Sequence, residues 1–116
     1  MNDVLGGINE LDDAPAVFLE AFAFFERNDD VDLGMPGPLV HFLEQFYPAY
    51  IEYLVTSVNR KPTSHTVWMI NRILNTSIDD AVRDRLIALL EDASKSPNAN
   101  LTTRQQAMEF LRHQTT

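Results

Sequence analysis

The chain contains no cysteine. Disulfides, thiol nucleophiles and cysteine-bound zinc are therefore excluded, and the composition suits a reducing compartment. Long apolar runs are also missing: Ala14–Phe25 is interrupted by Pro15 and Glu20 and falls short of the ~20 residues a membrane span requires. No basic segment followed by an apolar one marks a secretory signal, so a cytoplasmic location is expected. Strand signals are nearly absent. Basic residues are scarce in the first half, where Arg27 stands alone.

That last scarcity sets up a charge imbalance. Residues 1–59 hold eleven carboxylates against one base, a net charge of −10, whereas residues 60–116 hold eight bases and six acids, a net +2; the chain sums to −8. Such a protein repels nucleic acid and anionic lipid and attracts basic proteins. No nucleic-acid or membrane partner is expected.

With 45% hydrophobic residues in 116, the chain can bury one core without disulfide or metal. A single domain over 1–116 is expected, with 1–13 as a loosely ordered lead-in. Apolar residues recur at helical spacing between stop signals. Asp12 or Asp13 is placed to cap a first helix running to about Asn28, with Pro15 in its first turn, Phe18, Phe22 and Phe25 on one face and Leu19 beside them. A second spans Pro36–Tyr47 on Leu39, Phe42, Leu43 and Phe46. Pro48 restarts the chain into a third, reaching about Asn59 on Tyr50, Leu54 and Val58. Pro62-Thr63 stops it and caps a fourth, Ser64–Leu74, with Val67, Ile70, Ile73 and Leu74 inside and Trp68 near the rim. A fifth covers about Ile78–Ser94 on Ala81, Val82, Leu86, Leu89 and Leu90. Thr102 or Thr103 caps a sixth carrying Met108, Phe110 and Leu111. The second and third helices, and the fourth and fifth, are expected to form hairpins. The expected fold is all-α: an irregular bundle or a short HEAT-like α-solenoid of about six helices.

Candidate chemistry is sparse. His41 and Glu44, one turn apart, could meet at one ion, but a metal site needs further ligands. Asn28–Gly34 begins like a calcium loop, yet Leu33 stands where the sharp turn needs glycine and Leu39 where a bidentate Glu is needed. Gly34-Met35-Pro36-Gly37-Pro38 lacks the lysine of a phosphate loop. No Gly-x-Ser-x-Gly elbow occurs. The short fourth and fifth helices suggest a helix-turn-helix, but Asp79, Asp80 and Asp84 accompany Arg83 and Arg85 and would oppose phosphate. An enzyme is not expected, and no cofactor is implied.

Two segments go beyond generic patterning. Gly37-Pro38-Leu39-Val40-His41-Phe42-Leu43-Glu44 is the first. The second is Arg60-Lys61-Pro62-Thr63 with Thr66-Val67-Trp68-Met69 and Asn71-Arg72-Ile73-Leu74-Asn75. Over about residues 34–75 the chain resembles small bacterial immunity proteins of polymorphic-toxin and contact-dependent growth-inhibition systems. The resemblance implies a cytoplasmic protein that binds the C-terminal domain of a cognate toxin and blocks its active site or substrate path. A nuclease is the expected toxin class, since a nuclease presents a basic surface that an acidic protein can cover. The acids Glu26, Asp29, Asp30, Asp32, Glu44 and Glu52 are the expected toxin contacts, and Trp68 is either a core-edge anchor or an interface hot spot. The alternative reading is a helical-repeat scaffold joining other proteins.

Overall fold

A computed structural model describes residues 10–28 and 37–115. They form six helices: α1 (Glu10–Arg27), α2 (Gly37–Glu44), α3 (Ile51–Arg60), α4 (Ser64–Leu74), α5 (Asp80–Lys95) and α6 (Leu101–Thr115). No strand occurs among the described residues. The fold is all-α.

Helix α4 begins where its local chemistry dictates. The Thr63 hydroxyl accepts from the Thr66 backbone N–H at 3.1 Å, and the Thr66 hydroxyl accepts from the Thr63 N–H at 3.0 Å. This reciprocal capping box satisfies two donors that a helix start would otherwise strand. At α6 the cap is Asn100 rather than Thr102 or Thr103: its side-chain oxygen accepts from Thr103 N–H at 2.7 Å and its carbonyl from Arg104 N–H at 3.0 Å. Thr102 and Thr103 lie past the cap position, inside the first turn of α6, and the Thr103 hydroxyl instead sits 3.4 Å from that of Ser64 on α4.

Other boundaries also move. Helix α1 starts ahead of Asp12, which leaves Pro15 inside the helix rather than in its first turn. Helix α2 ends at Glu44 instead of Tyr47. Turn bonds three residues apart replace it, from Phe46 N–H to Leu43 O and from Ala49 N–H to Phe46 O, as Pro48 supplies no N–H to a helical ladder.

The core grows from stripes at helical spacing. Phe18, Ala21, Phe22 and Phe25 of α1 are buried, as are Leu54 and Val58 of α3 with Tyr50 just before it. Helix α4 is covered on most sides, burying Val67, Met69, Ile70, Ile73 and Leu74, and α5 adds Leu86, Leu89, Leu90 and Ala93. Each large apolar side chain so buried contributes about 1.5–3 kcal/mol of transfer free energy. Four residues expected on apolar stripes lie outside the core. Ala81 is exposed, and Leu19, Phe42 and Met108 are 58%, 42% and 47% exposed. At about 100° per residue, Leu19 and Met108 are turned well away from the buried Phe18 and Ala107 beside them.

The expected hairpin of α4 and α5 is present as a contact, while α2 with α3 is not among the closer pairings. The closest packing is α5 on α6, with α6 also on α4, and α3 on both α1 and α5. Polar bonds follow a regular order. Glu26 of α1 binds Arg60 of α3, Glu44 of α2 binds Arg72 of α4, and Glu52 of α3 binds Arg85 of α5. Gln114 of α6 then donates to Asn71 of α4 at 2.8 Å. Each helix is thus tied to the one two places along the chain.

Candidate functional site

Glu26, Glu44 and Glu52 are the expected contact acids that fall among the described residues, and all three carry bonds within the chain. Glu26 accepts from Ser57 Oγ at 2.6 Å and from Arg60 Nε and Nη2 at 2.8 and 2.7 Å. Burial pushes its carboxyl up, but the bonds from Arg60 and Ser57, with the charges of Arg60 and Lys61, outweigh burial and leave it below its ordinary value. Glu44 is gripped by Arg72 through Nε and, at 3.0 Å, through Nη2. Glu52 meets Arg85 fork to fork at 2.6 and 2.8 Å, and the Arg85 hydrogen bonds lower its carboxyl. These acids are therefore spread over three inter-helix links rather than gathered on one free face. Asp29, Asp30 and Asp32 lie outside the described residues.

Trp68 is half-buried, its ring edge-on to Phe110 of α6 at 5.9 Å. That places it at the α4–α6 contact. His41 Nδ1 lies 3.5 Å from Glu44 Oε1. Among the described residues no three His, Asp or Glu side chains group as a metal site, and no helix is long and apolar enough to cross a membrane.

The cations reveal what the acids alone do not. Of the nine Lys and Arg residues, Arg60, Arg72 and Arg85 hold carboxylates of the first half, while Arg27 and Lys95 sit 3.7 Å from Glu20 and Glu91. Arg83 donates to the carbonyls of Leu74 and Gln114, at the ends of α4 and α6. Arg104 donates to those of Ser96 and Ala99, and Lys61 to that of Glu26. In contrast, Asp79, Asp80, Asp84 and Asp92 are exposed on or just before α5 and pair with no described cation. Asp80, Asp84 and Asp92 share one face at multiples of four residues. Asp79, Asp80 and Asp84 already weigh against phosphate in the sequence, but the near-neutral sum of the second half hid that they, with Asp92, pair with no described cation.

Beside the Glu44–Arg72 pair opens a cleft of about 440 Å³. Glu44, Tyr47 and Tyr50 line it from the end of α2 and the turn that follows; Arg72, Asn75 and Thr76 line it from the end of α4. Tyr50 is buried, and burial first, then the Glu44 charge, holds its phenol well above the usual range. Tyr47 is 40% exposed and lies edge-on to Tyr50 at 6.1 Å. Thr76 donates its hydroxyl to Ile73 O, and Asn75 Oδ1 accepts from Gln114. Sequence reasoning missed this cleft because it forms where two helix ends, almost thirty residues apart along the chain, come together.

No family model, curated protein or solved structure matches this chain.

Proposed function

We propose that this protein is an immunity protein, cytoplasmic and without catalytic activity or cofactor. It binds the C-terminal domain of a cognate basic toxin, a nuclease being the favoured class, and covers its active site or substrate-binding surface. The observation that carries the reading is the disposition of charge. Eight of the nine basic residues have a carboxylate or a backbone carbonyl of their own chain beside them, so the field reaching solvent is dominated by the acids that pair with no described cation. Paired charges cancel within a few ångströms, whereas unpaired ones steer a basic partner over a Debye length, about 10 Å at 0.1 M salt. In this reading Glu26, Glu44 and Glu52 hold the helices in place. The toxin meets Asp29, Asp30 and Asp32, or the Asp80, Asp84 and Asp92 face of α5.

Capture of the protein from its native cell, followed by co-expression with the captured partner, tests the proposal. The expected result is a basic toxin domain whose growth arrest this protein relieves. A captured partner that arrests no growth supports instead the scaffold reading. Reversal of Asp29, Asp30 and Asp32 to Lys, beside reversal of Asp80, Asp84 and Asp92, then locates the face. The set that matters slows association about tenfold or more at low salt, with the dissociation rate little changed. An unchanged association rate for both sets overturns the electrostatic mechanism.

A further inference from the structure

We infer that the cleft between the end of α2 and the end of α4 receives a basic side chain, an arginine, from the protein partner. The inference rests on the partner being basic, as proposed above, and adds where one of its cations is seated.

Four features of the cleft point to a cation. First, Glu44 and Arg72 cancel each other, since Arg72 spends its Nε and Nη2 on the carboxylate. The lining therefore starts neutral. Second, Arg72, Asn75 and Thr76 belong to or follow the last turn of the 11-residue helix α4. The aligned peptide dipoles place partial negative charge there, part of it met by Arg83 at Leu74 O, and what remains favours a cation over an anion. Third, Tyr47 offers a ring to solvent with its edge contact to Tyr50 already made. An aromatic face attracts a desolvated cation, and the flat guanidinium of arginine stacks on it better than the compact ammonium of lysine. Fourth, the Thr76 hydroxyl gives its proton to Ile73 O at 2.6 Å, so its lone pairs remain to accept from an incoming N–H.

Size and field agree with this. A cleft of about 440 Å³ lies within the roughly 300–1,000 Å³ range of small-ligand sites and is ample for one long side chain. The net charge of −8 draws a cation towards the mouth and repels the phosphate or carboxylate that the outer nitrogen of Arg72 could otherwise attract.

The test needs no toxin. The ¹⁵N-labelled protein is titrated with N-acetyl-arginine methylamide, with its uncharged citrulline counterpart and with inorganic phosphate. Backbone shifts at Tyr47, Asn75 and Thr76 should saturate with the arginine probe at a Kd on the order of 10 mM. The citrulline probe should bind at least about tenfold more weakly, because it lacks the charge. Tyr47→Phe keeps the ring and should keep the affinity, while Tyr47→Ala should lose about fivefold. Should Tyr47→Ala fail to give a folded spectrum, Tyr47→Leu must show the same loss. The inference is overturned by equal response to citrulline, by phosphate moving these amides more strongly, or by arginine shifts confined to the acids of α5. Absence of saturation at the cleft overturns it as well. Failure here leaves toxin neutralisation standing, whereas failure of the growth rescue leaves the preference of the cleft for arginine standing.

Discussion

The Glu26 carboxylate joins the last turn of α1 to α3 through the Ser57 hydroxyl and the Arg60 guanidinium, with its side chain only 14% exposed. Removing its charge with Glu26→Gln strands part of that donor set and should cost about 1–3 kcal/mol at neutral pH. The folded carboxyl lies below its ordinary value of 4.5, so the unfolded chain binds the proton more readily. Its contribution is then complete above the unfolded value and is lost as pH falls through the lowered folded one. Urea midpoints should therefore separate wild type from Glu26→Gln at pH 7 and draw together as pH falls below the ordinary carboxyl value of 4.5 towards the lowered folded one. None of this was legible beforehand: Ser57 and Arg60 stand 31 and 34 residues away, beyond any pattern of neighbours along one helix. Glu26, Glu44 and Glu52 give no sign of their partners along the sequence because the arginines that bind them lie in the second half.

At the scale of elements, the helices whose ends carry a strong local signal were the most readable. Pro62-Thr63 closes α3 and opens α4 by chemistry contained within five residues, and the expected span Ser64–Leu74 is the span observed. The start of α6 was misplaced where several capping residues stand close together: Thr102 and Thr103 look like caps, but Asn100, three residues before Thr103, takes the role. Asn100→Ala should accordingly lower stability by about 1 kcal/mol, whereas Thr102→Ala, exposed and without a capping role, should change it by less than about 0.5 kcal/mol. Thermal unfolding followed by circular dichroism separates the two. The apolar stripes were legible on α1, α3 and α4, where a phase is set by three or more large residues. On α6 the stripe was legible in part: Phe110 and Leu111 pack against the core as expected, while small Ala107 and Thr103 make the fully buried contact and Met108 faces out.

For the whole molecule, two electrostatic terms of opposite sign compete. The arginine–carboxylate links act over 2.6–3.0 Å, well inside any screening length, while the repulsion among unpaired acids acts over longer distances that salt shortens. Added sodium chloride should therefore raise the thermal midpoint of the isolated protein modestly while slowing its association with a basic partner. A midpoint that falls steadily with salt would show that the links dominate. The regular order of those links has a further consequence for how the chain is made. Each ties a helix to the one two places later, across 34, 28 and 33 residues for Glu26–Arg60, Glu44–Arg72 and Glu52–Arg85, so each closes a loop of similar length at similar entropic cost. A ribosome adds that many residues in about 1.5–7 s. Each arginine thus emerges when the acid awaiting it is already outside the tunnel, and the nascent chain can fasten its helices in the order of their synthesis.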